Sequence, residues 1–175
     1  MSTSMATVST PDGPFTIIER DGAVLASGWT AEPEELTTQI HQRLQPLDWG
    51  APRAELGNIS RAVRDYYAGD LAAVDSVAVL QVSAPFRAHA WDVLRTVPPG
   101  QPVSYTEYAL LAGNPAAVRA AAGACARNAA ALFVPCHRVV RSDGRLGGFR
   151  WGVDVKARLL AFEAEQTAAR GTSAG

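Results

Sequence analysis

Cys136 is the residue of this chain whose type and neighbours best suit covalent chemistry. His137 follows it directly, and Arg119, Arg138 and Arg141 add positive charge to the same half of the sequence. A nearby imidazole and positive charge favour the thiolate, the nucleophilic form of cysteine. A cysteine after an apolar run can equally be an inert core residue, so from these residues both interpretations stay open. Cys125, among alanines, is interpreted as packing.

A base that activates a thiol is commonly a histidine oriented by a carboxylate. Glu163 is the candidate carboxylate, on a final helix predicted over residues 152–165 with Val155, Leu159 and Phe162 turned inward. The residue types therefore predict a set of Cys136, His137 and Glu163 for nucleophilic attack.

The bulk composition limits the class of protein. The 175 residues are 47% hydrophobic and 19% charged, as in a soluble globular protein of one domain or two small ones. The sequence contains no apolar run of about 18 residues, so no membrane span is predicted. The N-terminus lacks the features of a signal peptide. Two cysteines provide neither a disulfide framework nor a cysteine-rich zinc site, so we expect no metal. A free thiol is typical of a reducing cytoplasm.

The net charge of −1 conceals an asymmetry between the two halves. Residues 1–100 carry 7 basic and 12 acidic side chains, whereas residues 101–175 carry 9 basic and 5 acidic ones. A basic second half can contact phosphates while the first half has another role. Chance variation in composition would produce the same pattern, so the charge alone leaves nucleic-acid binding open.

The first 80 residues are predicted to form an N-terminal α/β lobe. Residues 10–30 have the pattern of a β-hairpin with its turn at 20–22. Helices are predicted over 34–44 and 53–67, and a strand over 74–82. The lobe has no obvious set of reactive side chains.

Residues 81–165 are predicted to form a mainly helical domain. Pro85 begins a helix that ends before residue 98, and Ser104 with Glu107 forms a capping box at the start of a helix running to about residue 112. Asn114 is expected to cap, and Pro115 to begin, the next helix, over about 116–127. Two helices joined by a short turn make a helix-turn-helix, although helix pairs without DNA function are common. A strand is predicted over 129–134, and residues 166–175 are expected to be a flexible tail.

The segments from residue 86 to 163 resemble the O(6)-alkylguanine-DNA alkyltransferases, also called methylated-DNA–protein-cysteine methyltransferases. The resemblance rests on the run Pro-Cys-His-Arg-Val-Val at 135–140, Ser-Tyr at 104–105, the helix carrying Arg119, Asn128, and Leu-Leu-Ala-Phe-Glu at 159–163. The motif around the cysteine is highly specific. The N-terminal lobe is similar only loosely, at residues 10–14.

This resemblance implies a winged helix-turn-helix-like domain that repairs DNA in a single turnover. Cys136 would take the alkyl group from O(6)-alkylguanine after the base is flipped out of the duplex, with O(4)-alkylthymine as a second candidate lesion. Arg119 would fill the gap in the duplex, and Tyr105 would donate a proton to the guanine. The resemblance also implies that the DNA-contacting residues include Ala120, Gly123, Ala124, Arg127 and Ser142. No cofactor is implied, and we expect a monomer.

The resemblance further assigns supporting residues around the cysteine. His137 would take the thiol proton through a water while Glu163 holds it, and Asn128 would brace the turn. The implied substrate pocket contains Val139, Phe149, Arg150 and Lys156. Arg150 and the neighbouring tryptophan at 151 are bulky, so the chain departs here from the family pattern in a way that would narrow the pocket.

Three alternatives compete with this interpretation. A lesion-binding relative that does not react would lack the cysteine, and Cys136 is present. A helix-turn-helix regulator would leave Cys136, His137 and Glu163 without a role. A thiol hydrolase is disfavoured because His89 is the only other histidine in the matched part of the chain, residues 86–163.

Overall fold

A four-stranded sheet forms the centre of the N-terminal unit. The computed structural model describes residues 2–173, and contacts divide them into a unit up to Ser83 that also includes Asn128–Val134, and a second unit with Ala84–Arg127 and the chain from Pro135 onward. The strands are β1 (Thr3–Thr10), β2 (Gly13–Arg20), β3 (Ala23–Gly28) and β4 (Ala78–Val79). Their order in the sheet is β1-β2-β3-β4, and neighbouring strands are antiparallel except for the parallel pair β3–β4.

The predicted hairpin is confirmed as β2–β3. Its turn residues Asp21 and Gly22 have φ angles of 50° and 84°, the left-handed pair that suits a two-residue turn between twisted strands. Phe15, Ile17 and Val24 from these strands are fully buried. Strand β1 was not predicted, because its threonines and serines hide the apolar alternation on which strand prediction depends.

The first unit has shorter helices than its sequence predicts. The helix expected over 34–44 is reduced to α1 (Glu34–Thr37) and a separate 3₁₀ turn. The side chains of Thr37 and Gln39 donate to the backbone carbonyls of Glu34 and Glu35, which competes with continuation of the helix.

The helix expected over 53–67 begins later, as α2 (Asn58–Tyr67). The backbone N–H of Arg53 donates to the carbonyl of Met5 at 2.8 Å, so the preceding segment runs along β1. Gly57 then has a φ of 59°, a conformation that favours glycine and is not helical, so the helix cannot extend back past residue 57. Of the strand expected over 74–82, the residues up to Ser76 form a 3₁₀ turn instead, and only Ala78–Val79 pairs with β3.

Asn128–Val134 belongs with the first unit, although the sequence suggested that residues 81–165 form one domain. The strand predicted over 129–134 is wrong, because these residues form a buried turn in which Leu132 has a φ of 74°. Ser27 of β3 holds the turn through hydrogen bonds with Ala129 and Ala131. An apolar run indicates that a segment is buried. Here the backbone groups form hydrogen bonds with Ser27 in place of the regular hydrogen bonds between paired strands.

The second unit is mainly helical, as expected. Its elements are α3 (Pro85–Leu94), β5 (Val103–Ser104), α4 (Tyr105–Leu111), α5 (Val118–Ala126), β6 (Val139–Val140) and α6 (Val153–Ser173). Strand β5 precedes α4 in the chain and β6 follows α5, and the two strands pair in parallel.

Helices α4 and α5 form the predicted helix pair. The capping box at Ser104 is confirmed: its Oγ accepts from the N–H of Glu107 at 3.0 Å. The predicted start of the second helix is wrong, because Asn114 accepts the N–H of Ala116 in a local turn and α5 begins at Val118. Trp91 of α3 donates to the carbonyl of Ala124 at 2.8 Å, which anchors α5 to α3.

Helix α6 continues into the segment 166–175 that was expected to be a flexible tail, of which residues 174 and 175 lie outside the described residues. It extends to Ser173, since alanines at 168 and 169 favour the helix despite the polar composition. The Thr167 side chain would lie 2.7 Å from a Cβ added at Gly100. This part of the helix therefore packs against the segment between α3 and β5. No helix within the described range is both long and apolar enough to cross a membrane.

Candidate active site

Cys136 lies in a 3₁₀ turn that spans Cys136–Arg138. Pro135 precedes this turn, and its carbonyl accepts from the N–H of Arg138 at 3.0 Å. Cys136 is 8% exposed, whereas His137 is completely buried. Cys136 therefore lies at the edge of the protein interior, and the next residue in the chain carries a fully buried imidazole.

Glu163 of α6 contacts this turn, as the sequence predicted. His137 Nε2 lies 2.8 Å from Glu163 Oε2, and both side chains are buried. Burial alone would raise the pKa of Glu163, but the charges and hydrogen bonds of His137 and Arg138 hold it well below the ordinary value. Glu163 is therefore a carboxylate, which can only accept hydrogen bonds.

The carboxylate determines the tautomer of His137. Because Glu163 accepts, Nε2 must carry the hydrogen, and Nδ1 of neutral His137 then has a free lone pair. Nδ1 is buried and has no hydrogen-bond partner among residues 2–173. The buried pair thus presents a proton-accepting nitrogen on the residue next to Cys136.

Arg138 holds the same carboxylate, a role that the sequence analysis missed. Its Nε donates to Glu163 Oε1 and its Nη2 to Oε2, both at 2.9 Å, while Nη1 donates to the carbonyl of Val97 at 2.8 Å. This is a two-pronged arginine–carboxylate contact, which fixes orientation as well as charge. A signal was available, since an arginine in a stretch as apolar as 129–140 must find a buried partner.

Tyr105 and Lys156 are also brought together in the second unit. Lys156 Nζ lies 5.9 Å from the centre of the Tyr105 ring and donates to the carbonyls of Val139 at 2.7 Å and Gly148 at 3.4 Å. Burial lowers the pKa of Lys156, and Cys136 and Cys125 would oppose this only when they are ionised. Burial raises the pKa of Tyr105 to about 12. At neutral pH the phenol is therefore protonated and able to donate.

The loop between β6 and α6 lies against Tyr105. A Cβ added at Gly147, whose φ is 76°, would lie 3.2 Å from the Oη and Cε2 atoms of Tyr105. Glycine is needed here both for the backbone conformation and for the close approach. Of the predicted pocket residues here, Phe149 is half-buried and Arg150 is exposed, with a long contact of 3.4 Å to the carbonyl of Ala126.

The predicted DNA-contacting residues of α5 are not all on one face. Arg119, Ala120 and Arg127 are exposed and Gly123 is half-buried. Ala124 is completely buried, so its predicted contact with DNA is wrong. Ala124 lies on the packed side of the helix, where its carbonyl accepts from Trp91.

Ser142 is exposed beyond β6. Its Oγ lies 3.0 Å from the hydroxyl of Thr106, near the start of α4. The side chain is therefore available at the surface close to the helix pair.

Asn128 is buried within the first unit. Its Nδ2 donates to the carbonyl of Val134 at 2.8 Å, and its Oδ1 accepts from the N–H of Ala130 at 3.0 Å. Val134 stands two residues before Cys136 in the chain. The side chain thus closes the turn that leads into the cysteine.

Cys125, the other thiol, lies in helix α5. Burial raises the pKa of Cys125, and a charge on Cys136 adds to the rise, so its reactive form is suppressed. Between residues 2 and 173, no cluster of three or more metal-binding side chains is found.

Comparisons with known proteins agree with the resemblance in the sequence. The model of the 6-O-methylguanine DNA methyltransferase DNA-binding domain matches residues 85–165. The methylated-DNA–protein-cysteine methyltransferase of Shigella flexneri is 32% identical over 159 residues, which cover 89% of this chain and 92% of that protein. The crystal structure of Mycobacterium tuberculosis OGT in complex with DNA has a TM-score of 0.77 at 27% identity, covering 93% of this chain and 94% of that one.

A higher identity is confined to part of a longer protein. The bifunctional transcriptional activator/DNA repair enzyme Ada of Escherichia coli is 56% identical over 80 residues, which are 46% of this chain and only 23% of Ada. The match to the Shigella flexneri protein, by contrast, spans nearly all of both chains. On that near-complete match, the chain belongs to the methylated-DNA–protein-cysteine methyltransferase family.

Proposed function

We propose that this chain repairs alkylated DNA by transferring the alkyl group from the O(6) atom of guanine irreversibly to Cys136. The observation that carries the proposal is the buried His137–Glu163 pair at 2.8 Å, which presents a free Nδ1 lone pair next to Cys136. Family membership supports the same chemistry.

The transfer step begins at the thiol of Cys136. His137 Nδ1 takes the thiol proton through a bridging water, and Glu163 stabilises the resulting imidazolium. The thiolate attacks the alkyl carbon, the bond between that carbon and O(6) breaks, and a thioether forms. The electron pair of the broken bond stays on the guanine.

Tyr105 supplies the proton that the leaving guanine needs. A phenol with a pKa of about 12 remains protonated at neutral pH and can donate as negative charge develops on the base. The thiol proton, passed on from His137, finally restores the phenol. The products are neutral guanine and alkylated Cys136, so the reaction balances without a cofactor.

Lys156 and Asn128 would hold the surroundings of this step. Lys156 donates to the carbonyl of Val139 and contacts the ring of Tyr105, which steadies two groups of the proposed pocket. Arg150 and Phe149 would form the outer part of the same pocket. Asn128 would brace the turn before Cys136 through its contact with Val134.

The helix pair α4–α5 would bind double-stranded DNA in the minor groove. Arg119 is exposed near the start of α5, where it could fill the gap left by a flipped nucleotide. The small Ala120 and Gly123 allow the helix backbone to approach the DNA, and Arg127 is placed to meet a phosphate. We propose that the segment after β6, with Ser142, acts as the wing of a winged helix-turn-helix.

The proposal includes the state of the protein. One chain contains every group of the transfer step, so we expect a monomer to be sufficient. The thiol of Cys136 must stay reduced, which is consistent with the cytoplasm. O(4)-alkylthymine is proposed as a second lesion. No observation supports the non-reacting lesion binder or the regulator considered above.

The test is stoichiometric self-alkylation. The full chain is incubated with a duplex that contains one O(6)-methylguanine, and its peptides are analysed by mass spectrometry. We expect 14 Da more, the mass of one CH₂ group, on the peptide that holds Cys136, with one methyl group per protein molecule. Cys125→Ser, which changes the suppressed thiol, is the matched control and should behave as wild type, whereas Cys136→Ser should not react. Methyl groups on another peptide, or repeated turnover, would refute the proposal.

A further inference from the structure

Gln81 makes a two-point contact with the turn that precedes Cys136. Its Nε2 donates to Asn128 Oδ1 at 2.9 Å, and its Oε1 accepts from the backbone N–H of Ala129, also at 2.9 Å. Both partners lie in the first unit with Gln81. The backbone is held immediately before this residue, because the N–H of Leu80 donates to the carbonyl of Val24 in β3 at 2.9 Å.

The side-chain amides of Gln81 and Asn128 each accept from a backbone N–H, a group that can only donate, and this determines their orientation. A backbone N–H only donates, so Ala129 requires the oxygen of Gln81 and thereby turns Nε2 toward Asn128. The N–H of Ala130 independently requires the oxygen of Asn128. With Oδ1 fixed by both donors, Nδ2 of Asn128 faces the carbonyl of Val134.

These contacts hold the turn at 129–134 in a strained backbone conformation. Leu132 has a φ of 74°, which is unfavourable for a residue with a side chain and persists only where the surroundings determine it. The turn is held on one side by Ser27 and on the other by Asn128. Gln81 adds a second donor to the Asn128 oxygen and also accepts from the backbone N–H of Ala129, so it holds this side of the turn at two points.

We propose that Gln81 is a positioning residue for alkyl transfer, acting through Asn128 on the backbone that leads to Cys136. The inference rests on the proposed function, since it concerns the rate of that same reaction. Gln81 is half-buried and touches the turn rather than the reacting atoms. Its effect should therefore pass through the turn, by way of the Asn128 carboxamide and the backbone N–H of Ala129.

Two substitutions at this position separate positioning from simple packing. In Gln81→Ala, water can reach the partners, and we expect alkyl transfer to slow about 10-fold, as a small displacement of reacting groups does. In Gln81→Glu, one carboxylate oxygen can still accept from Ala129, but the other faces Asn128 Oδ1, an acceptor. Turning the Asn128 amide to relieve this would oppose both Ala130 and Val134, so we expect this variant to be slower than Gln81→Ala.

The experiment measures the single-turnover rate of methyl transfer from an O(6)-methylguanine duplex to the full chain. A Val63→Ala variant, which removes buried volume from α2, a helix that packs on β1, is the control for general loss of stability. At a similar fall in melting temperature it should keep the wild-type rate. The side-chain amide signals of Asn128 in a ¹H–¹⁵N spectrum should shift in both Gln81 variants and stay in place in Val63→Ala.

A double-mutant cycle tests the route of the effect. If Gln81 acts through Asn128, then Gln81→Ala should cause a much smaller loss of rate in the Asn128→Ala background than in the wild type. Independent, multiplying losses would overturn the proposal, as would a wild-type rate in Gln81→Glu or an equal loss of rate in Val63→Ala. A wild-type chain that transfers no methyl group would instead refute the proposed function itself.

Discussion

Replacing Glu163 with glutamine removes a charge from the buried site while keeping the shape of the side chain. The carboxylate accepts from His137 Nε2 at 2.8 Å and from two nitrogens of Arg138 at 2.9 Å. An amide has one accepting oxygen, so in either orientation its NH₂ group faces at least one N–H donor. The substitution leaves Arg138 buried without its counter-charge and removes the group that determines the tautomer of His137.

The expected loss of stability follows from the burial of this cluster. Both carboxylate oxygens lie in a side chain with 0% exposure, and removing one partner of a buried ion pair costs about 3 kcal/mol or more. For a chain of this length that loss lowers the melting temperature by roughly 6–12 °C. The rate of alkyl transfer should fall by about 100-fold, at the low end of what a general base contributes.

The pH dependence of stability has a definite sign. The pKa of Glu163 is lower in the folded protein than its ordinary value of 4.5, so ionisation stabilises the fold above about pH 4.5. This stabilisation is lost as the pH falls below 4.5 toward the folded pKa. In Glu163→Gln this acid-sensitive contribution should be absent, because the amide does not titrate.

Two measurements check these expectations. Thermal unfolding between pH 3 and pH 7 reports the stability, and rapid-quench transfer from an O(6)-methylguanine duplex reports the rate. Glu165→Gln is the matched control, because Glu165 is exposed two residues along the same helix. A Glu163→Gln protein that transfers methyl at the wild-type rate would show that the His137–Glu163 pair does not activate Cys136.

Three further substitutions test other parts of the site. Tyr105→Phe should slow transfer about 10-fold or more, and the wild-type rate should show no loss from tyrosine ionisation until the pH approaches the Tyr105 pKa of about 12; an unchanged rate would exclude the phenol as donor. Arg119→Ala should reduce repair of duplex DNA far more than reaction with free O(6)-benzylguanine, and equal losses would contradict its role in base flipping. Gly147→Ala should slow transfer because its Cβ would lie 3.2 Å from Tyr105, whereas Gly148→Ala, with nothing within 4 Å, should not; similar rates in the two variants would argue against the contact.

The features that the sequence predicted correctly are those decided by neighbours in the chain. The turn at Asp21 and Gly22 and the capping box at Ser104 each depend on residues within three positions of one another. Such local hydrogen bonds and φ angles follow directly from residue type. The reactive pair Cys136–His137 could be proposed for the same reason, since adjacency alone places the two together.

Several errors arose where a distant segment supplied the hydrogen-bond partner. The apolar run over 129–134 has the composition of a strand. It forms a turn instead, because Ser27, about 100 positions earlier in the chain, supplies the hydrogen bonds that hold the turn. Ala124 and Ala120 have the same side chain, so residue type could not tell which of them faces inward. The contact of Trp91 with the Ala124 carbonyl decided that.

The chain by itself therefore determined the kind of chemistry, through the residues around Cys136 and their likeness to one family of proteins. Only the tertiary structure decided how that chemistry is held in place. It brings Glu163 to His137 across 26 positions, adds Arg138 to the same carboxylate, and places Gln81 against Asn128 across 47. Residue types can suggest such partners, but a buried hydrogen bond forms only where packing has already brought two segments together, and that depends on the whole fold.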